Sequence, residues 1–412
     1  MEIKNENLKK NVLYNTVGSI YYLATQWLIT VLVVRLASYS EAGMLSLAIS
    51  ITNIFHAISL FGMRSYQLSD YNDRFSSEEY IRSRIVTSVC SFIFCTVFVL
   101  CNRAYDAEQM MVIVIYMIFR VIEALIDVIQ GIQQKNDRVD YIAVSCFVRG
   151  TVSLIAFVIC MILTKSLIIS VSVMCISTAF VLFLYDWPKC LRFENYVRRW
   201  KKNNLWKLLK DCLPLTLGTI FITLLVSVPR YNLESLYGKE ILGIYSSVAT
   251  PTVIIQAACT MIFNPLIGKM TEYYVNSESK KFVGMLLKSM LFFAGFLAVA
   301  IIGCTLCGEF VYKIMFGEEI VAYMYLLNPI IYTTFLIALI YFLGIVLTVM
   351  RRLKVQVVCS GVAALVIFLV SSGIIRKYDM QGVNYAIYIG TGLDIIMLLS
   401  VILYDIKRKL IK

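Results

Sequence analysis

Apolar residues fill the chain in long blocks, and short polar breaks separate one block from the next. A transmembrane helix needs about 20 predominantly apolar residues, and each block is long enough to form one. Because no segment is left over for a separate soluble domain, we expect an all-α integral membrane protein that acts within the bilayer. The pattern predicts twelve membrane-spanning helices, at 12–36, 42–62, 85–103, 107–130, 141–163, 166–187, 212–236, 241–268, 285–307, 322–347, 355–375 and 383–405.

The longest polar break, 188–211, divides these spans into two sets of six. It carries eight basic residues with two tryptophans among them, a pattern typical of an amphipathic helix on a membrane surface. Ten of the 45 residues in 13–57 are identical to the residue 200 positions later. Since each set has an even number of spans, the repeat must be parallel, as in transporters that hold the substrate between two halves. We therefore predict two six-helix bundles, 1–187 and 212–412, around a central cavity.

Positive charge is distributed unevenly along this hydrophobic chain. Of the 412 residues 59% are hydrophobic, the mean hydropathy is +0.78 and the net charge is +12. With the N-terminus placed inside, 28 Lys and Arg residues fall in inside segments and six in outside loops, as the positive-inside rule requires. The pattern predicts that both termini are cytoplasmic. It attributes the basic excess to topology and anionic lipids rather than to nucleic acid.

The sequence offers little for a metal or a cofactor. Most of the twelve cysteines lie singly within spans, where a thiol packs as a small apolar group. Cys304 and Cys307 form an isolated CxxC, and His56 is the only histidine, so we predict neither a metal site nor a cofactor. No nucleotide-binding motif is present, and direct ATP hydrolysis is not expected.

Polar residues form a stripe along the fourth predicted span. They recur at steps of four and three residues, which places them on one face of a helix. A charge near the bilayer centre costs about 2.5–3.5 kcal/mol, so this face must meet other helices or water. Local ion pairing is one interpretation, and a role in transport or ion coupling is the other. The stripe consists of Tyr116, Arg120, Glu123, Asp127, Gln130 and Gln134.

A second stripe follows the seventh predicted span and continues past Pro229, which removes a backbone donor and kinks a helix. Arg230 then either lines a cavity or extends to the nearby membrane surface and pairs with Glu234. The stripe comprises Thr216, Thr219, Thr223, Ser227, Arg230 and Glu234.

Several other polar residues within the spans are candidates for the same site. Arg35 lies at the outer end of the first span, where it could also reach the membrane surface. Asp394 is alone near the middle of the twelfth span, so it must be neutral or paired across helices. Guanidinium groups in a polar cavity are suited to phosphate, because their planar donors match its oxygens. The further candidates are Asn15, Gln26 and Arg149.

Short motifs along the chain occur in a recognisable order. They are Asn15, Gly18, Arg35-Leu36, Glu41 and Gly43 near the start, GMRSYQLSD at 62–70, Pro229-Arg230-Tyr231, and LGIY at 242–245. In these motifs, and in its twelve spans and length, the whole chain resembles the polysaccharide and O-antigen flippases of the multidrug/oligosaccharidyl-lipid/polysaccharide exporter superfamily.

The resemblance implies a transporter rather than an enzyme. Such proteins move an undecaprenyl-diphosphate-linked oligosaccharide across the bacterial cytoplasmic membrane by alternating access. The resemblance implies that the arginines attract the diphosphate and that polar and aromatic side chains meet the sugars. The ion-coupling candidates are Glu123, Asp127 and Asp394. Expected partners are the lipid-linked oligosaccharide, the bilayer, and a surface-polysaccharide polymerase and glycosyltransferases.

Two alternatives remain open from the residues. An ion-coupled exporter of drugs or other small molecules from the same superfamily would have acids dominating its cavity, whereas here Arg120 and Arg230 share it. A membrane-embedded glycan polymerase or ligase would carry a sizeable external loop with catalytic charges, and the spacing of the spans leaves no such loop.

Overall fold

A computed structural model describes residues 2–70, 74–102, 105–193, 202–250, 266–276, 278–350 and 352–410. In these ranges all regular secondary structure is helical. The chain divides into two compact units, Met1–Ile220 and Phe221–Lys412. The proposed three-part division of the sequence stays a prediction, since 194–201 of the basic break lie outside the described residues.

The N-terminal unit begins with eight helices. A π-helix, Leu182–Asp186, joins the last two, and a 3₁₀ turn, Leu191–Phe193, follows them. The helices are α1 (Glu2–Leu36), α2 (Tyr39–Leu60), α3 (Met63–Ser69), α4 (Ser77–Cys101), α5 (Ala107–Lys135), α6 (Val139–Thr164), α7 (Leu167–Val181) and α8 (Trp187–Cys190).

Short polar residues mark where several of these helices begin. The Ser38 side chain accepts a hydrogen bond from the backbone N–H of Glu41 at the start of α2. Ser76 and Asp106 open α4 and α5 with reciprocal capping boxes, in which the side chain three residues later bonds back to the cap. Such caps satisfy backbone donors that an apolar segment leaves unpaired at its end.

Small residues let α1 and α6 approach closely. A Cβ atom at Gly18 would lie 2.8 Å from Cα of Ala143, and one at Gly150 would lie 2.8 Å from Oγ1 of Thr25. Small residues at helix interfaces are the usual means of close packing inside a membrane. The contact fixes α6, and with it Arg149, beside the polar face of α1.

Helix α9, Lys202–Tyr237, contains the boundary between the units. Within the N-terminal unit, its Leu208 and Cys212 join a buried apolar cluster with residues of α3, α4 and α5. Tyr66 on α3 also donates a hydrogen bond of 2.9 Å to Oδ2 of Asp211. Leu208 lies before the predicted span 212–236 and is buried in this cluster. The helix therefore begins earlier than the predicted span.

The remaining helices belong to the C-terminal unit. A 3₁₀ segment, Glu319–Leu326, precedes the helix that corresponds to the fourth predicted span of this half, 322–347. The helices are α10 (Lys239–Ala249), α11 (Leu266–Val275), α12 (Ser279–Phe316), α13 (Leu327–Val349) and α14 (Leu353–Leu410).

Helix α14 is a hairpin of two helices broken at Asp379, whose backbone is left-handed with φ 48° and ψ −134°. Residues before and after the break meet in reverse order. A Cβ at Gly382 would lie 2.5 Å from Cα of Ile375, and one at Gly390 would lie 2.1 Å from Cδ1 of Ile367. The two arms are therefore antiparallel, and they correspond to the predicted spans 355–375 and 383–405.

Replacing Gly382 with alanine is expected to destabilise the C-terminal unit by about 1–3 kcal/mol. The new Cβ would meet backbone atoms of Ile374 and Ile375, which cannot rotate away. Gly392→Ala is the matched control, because nothing lies within 4 Å of a Cβ there and alanine favours a helix by about 1 kcal/mol. Thermal unfolding of purified protein in detergent measures both, and equal unfolding temperatures would contradict the close approach of the arms.

The predicted spans match the helices of the structure. Nine helical segments in the described ranges have the length and apolar composition to cross a membrane, and one of them, Leu353–Arg408, holds two predicted spans. Helix α5 has 29 residues and covers the predicted span 107–130. The remaining predicted span, 241–268, lies partly outside the described residues.

Candidate functional site

The polar stripe of α5 faces neighbouring helices, as its spacing predicts. Arg120 donates a hydrogen bond of 2.7 Å to Oε2 of Glu123 on the next turn and one of 2.8 Å to Oδ1 of Asn53 on α2. Tyr22 on α1 donates its hydroxyl to Oε1 of the same glutamate. Three helices thus meet at one ion pair. We call Tyr22, Asn53, Arg120, Glu123 and Arg149 the Arg120 cluster.

Arg149 supplies a second positive charge to this cluster. It lies on α6 with only 6% of its surface exposed, and its guanidinium carbon stands 4.0 Å from the centroid of the Tyr22 ring. This is cation–π geometry. No carboxylate of the described residues comes within 4.0 Å of its nitrogens. The Arg120 cluster therefore holds two arginines and one carboxylate.

Several polar atoms around the Arg120 cluster are buried without a hydrogen-bond partner among the described residues. They are Nε of Arg120, Nε of Arg149, Nε2 of Gln26 and Nδ1 of His56. Buried polar groups in proteins are nearly always paired, so unpaired donors near two arginines suit a ligand with acceptor oxygens. Tyr116 is buried one turn away, with its ring centroid 5.2 Å from the Arg120 guanidinium.

The C-terminal part of the α5 stripe forms a separate group with two arginines from other helices. We call Arg64, Arg84, Asp127, Gln130 and Gln134 the Asp127 cluster. Arg64 donates to Asp127 at 3.1 Å and to Gln134 at 3.0 Å. Arg84 donates to the other carboxylate oxygen at 2.8 Å and has no exposed surface. Two arginines therefore clamp one aspartate from α3 and α4.

This clamp gives Asp127 two arginine partners from other helices, in addition to the local pair of Arg120 and Glu123. From the sequence alone, Arg64 and Arg84 fell in the inside segment 63–84 and were not among the candidate site residues. The capping box at Ser76 is a signal that could have placed Arg84 correctly, because it starts α4 early and puts this arginine in the second turn of the helix. The clamp itself depends on packing between α3, α4 and α5.

Arg230 is the corresponding cation of the C-terminal unit. It is half-buried on α9, and its Nε is buried without a hydrogen-bond partner in the described part of the chain. The expected ion pair with Glu234 is not formed. Thr223 is half-buried two turns earlier on the same helix. Asn232 donates its side-chain amide to Oγ of Ser371, which ties α9 to the first arm of α14.

The other predicted residues lie apart from these groups. Asn15 is half-buried in α1, and Arg35 is exposed in the last turn of that helix. Asp394 is fully buried in the second arm of α14 and accepts a hydrogen bond of 2.9 Å from Ser360. The structure thus brings Tyr116, Arg120, Glu123 and Arg149 together around Tyr22, which sequence reasoning did not include among the site residues.

Family comparison agrees with the motifs found along the chain. The family of polysaccharide biosynthesis proteins matches residues 8–271, which is more than half of the chain. The chain belongs to this family. The matched region includes both polar clusters and Arg230.

Individual proteins extend the match over nearly the whole chain. Capsular polysaccharide biosynthesis protein CapF of Staphylococcus aureus is 27% identical over 391 residues, which are 92% of this chain and 95% of CapF. A multidrug resistance MATE family transporter of the MOP superfamily, in an inward-facing conformation, has a TM-score of 0.74 at 11% identity and covers 95% of this chain and 94% of its own. The lipid II flippase MurJ, in an inward closed conformation, has a TM-score of 0.72 at 12% identity, with 96% and 90% covered.

These matches confirm the predicted all-α membrane fold of about twelve helices and the resemblance to polysaccharide flippases. This member of the polysaccharide biosynthesis family therefore shares its fold with membrane proteins that are named as a transporter and a flippase.

Proposed function

We propose that the protein moves an undecaprenyl-diphosphate-linked oligosaccharide from the inner to the outer leaflet of a bacterial cytoplasmic membrane, by alternating access, for surface polysaccharide synthesis. Family membership and the relative named for capsular polysaccharide biosynthesis support the polysaccharide pathway. The transporter fold, shared with a protein named as a lipid II flippase, supports movement of a lipid-linked substrate.

The excess of positive charge in the Arg120 cluster carries the proposal. Arg120 shares Glu123 with Tyr22, whereas Arg149 stacks on the Tyr22 ring and forms no ion pair with a carboxylate of the described residues. A buried cation without a counter-ion is costly, so an anionic ligand that reaches Arg149 gains both a charge partner and desolvated hydrogen bonds. A diphosphate supplies two groups of acceptor oxygens, which matches two guanidinium groups on adjacent helices.

The surroundings of the arginines suit a sugar next to the diphosphate. Tyr22 offers an aromatic ring, while Asn53 and Gln26 offer amide groups close to the same helix faces. Arg230, with Thr223 on the same helix, is the proposed diphosphate contact of the C-terminal unit. Each unit thus contains an arginine that lacks a carboxylate partner among the described residues.

Arg149→Ala is expected to reduce translocation about ten- to hundredfold, since hydrogen bonds to charged groups contribute about 1.5–3 kcal/mol. Arg149→Lys keeps the charge but loses the planar donors, so we expect an intermediate rate. The measurement is a leaflet-resolved assay of lipid-linked oligosaccharide in cells, with protein abundance checked. Inward-facing lipid should accumulate in the alanine variant.

Arg138→Ala is the control, because this arginine forms an exposed ion pair with Asp140 away from the Arg120 cluster. Unchanged translocation in both Arg149→Ala and Arg230→Ala would overturn the proposal. A small-molecule exporter of the same superfamily is the alternative, and it would show cation efflux without any change in lipid-linked oligosaccharide. Surface-polysaccharide polymerase and glycosyltransferases are the proposed partners, which crosslinking in cells tests.

We also propose cytoplasmic termini, on the strength of the charge distribution. A single cysteine placed in 188–211 of a cysteine-free variant should then resist a membrane-impermeant reagent added from outside.

A further inference from the structure

Asp186 is a buried carboxyl group that the proposed substrate site does not use. It has no exposed surface and ends the π-helix between α7 and α8. Ser145 on α6 donates a hydrogen bond of 2.9 Å to its Oδ2, and Oδ1 has no partner among the described residues. Single π-helical turns occur often at functional positions.

Asp394 repeats this arrangement in the C-terminal unit. It too has no exposed surface, and Ser360 donates a hydrogen bond of 2.9 Å to its Oδ2. Its Oδ1 is likewise buried without a partner in the described part of the chain. Each unit therefore contains one aspartate bound through one oxygen to one serine.

The two sites occupy similar places in the two halves, with Asp394 nearer the turn of its span pair than Asp186 is. Both serines lie near the start of the fifth predicted span of their half, and both aspartates lie on the sixth. Ser145 stands six residues after the first residue of α6, and Ser360 stands seven after the first residue of α14. In both cases the span pair turns at a non-glycine residue with positive φ, Lys165 or Asp379.

The surroundings of both carboxyl groups favour the neutral form. An ionised carboxylate has room for about four hydrogen bonds, and one serine leaves most of them unmade in a site without water-accessible surface. The charged or titratable neighbours are few: Arg149, Cys146 and Tyr185 for Asp186, and Cys359 for Asp394. Arg149 forms no ion pair with Asp186, since no nitrogen comes within 4.0 Å.

The acids of the substrate-site helix differ in this respect. Glu123 is paired with Arg120, and Asp127 is paired with two arginines. These two acids therefore have cationic partners, whereas neither Asp186 nor Asp394 forms an ion pair with a described residue.

We propose that Asp186 and Asp394 are a matched pair of proton-binding sites, one in each unit, and that protons bound there move in step with transport. Each carboxyl binds its proton while the site is closed to water. When a conformational change opens the site to water, the proton leaves to water and the carboxylate forms, and re-protonation from water allows the serine contact to re-form. The coupling to transport rests on the proposed function, but proton binding does not.

Infrared spectroscopy of the full chain in a maltoside detergent, which has no carbonyl group of its own, tests proton binding without any substrate. The wild type should show the carbonyl band of protonated carboxyl groups at mildly acidic pH. Asp186→Asn and Asp394→Asn should each remove part of it, and the double variant should remove both parts. Asn is close in shape to a neutral Asp, so the variants should still fold. Loss of the wild-type band at alkaline pH is an independent check that the band comes from protonated carboxyl groups. An undiminished band in the double variant would overturn the proposal.

Proteoliposomes with a fluorescent undecaprenyl-diphosphate-linked N-acetylglucosamine test the coupling. A proton gradient should accelerate wild-type translocation about tenfold. Each Asn variant should lose this acceleration. Asp140→Asn, at an exposed ion pair, should keep it. If the Asn variants respond like the wild type, coupling through these sites is wrong. If the wild type moves none of this lipid while the infrared result holds, the proposed substrate fails and the proton sites stand.

Discussion

Replacing Asp127 with alanine is expected to destabilise the N-terminal unit by about 3 kcal/mol or more. The substitution leaves two arginines without their shared carboxylate, and one of them, Arg84, has no exposed surface. Arg84 keeps only the Ser59 carbonyl, at 2.9 Å. Thermal unfolding of the purified protein in detergent should show a clearly lower midpoint and reduced yield.

Asp140→Ala is the matched control for this result. Its ion pair with Arg138 is 2.7 Å long, about as short as the 2.8 Å pair of Arg84 with Asp127. Both side chains of the control pair are 41% exposed, and exposed pairs contribute no more than about 1 kcal/mol. Asp127→Asn should fall between the two, because an amide keeps one acceptor for one arginine. Similar midpoints for Asp127→Ala and Asp140→Ala would show that burial of Arg84 does not matter.

Glu123→Ala is expected to lower translocation about ten- to hundredfold with a smaller loss of abundance. Truncating one partner of a buried, hydrogen-bonded charge pair costs about 2–5 kcal/mol, and here two partners are released at once. Tyr22 loses the acceptor for its hydroxyl, and Arg120 retains only Asn53. The ring that Arg149 contacts then loses its fixed orientation. The leaflet-resolved lipid assay measures the rate.

Glu123→Gln separates an organising role from ion coupling. Its amide oxygen can still accept a hydrogen bond, so the geometry of the Arg120 cluster should largely persist. We expect this variant to keep the response of transport to a proton gradient. Loss of that response with normal abundance would instead make Glu123 a coupling residue, as its position on the stripe first suggested.

The spans were predictable because the bilayer restricts what a chain can place inside it. A helix must be about 20 residues long and mostly apolar to cross, and that rule locates the helices without knowledge of their contacts. The break at Asp379 is an example. Two apolar blocks with a polar gap between them predict two spans, and the structure has a helix Leu353–Leu410 that is interrupted at this one residue.

The partners of the polar residues were not predictable in the same way. Periodicity places Arg120, Glu123 and Asp127 on one face, but Tyr22 meets Glu123 from 101 residues away and Arg84 meets Asp127 from 43 residues away. Those distances along the chain carry no pattern. Asp186 was passed over because it stands at the very end of an apolar block, where a lone acid resembles the start of a polar loop.

The order of helices along the chain has a consequence for how the protein enters the membrane. Helix α5 carries Arg120, Glu123 and Asp127 in its interior, and each charge at the centre of a helix opposes insertion by about 2.5–3.5 kcal/mol. The side chains of other helices that bind these three residues through hydrogen bonds lie on α1 to α4, which leave the ribosome earlier. Partners for the charges of α5 are therefore synthesised before α5 itself, so this charged helix can enter a bundle that already neutralises it.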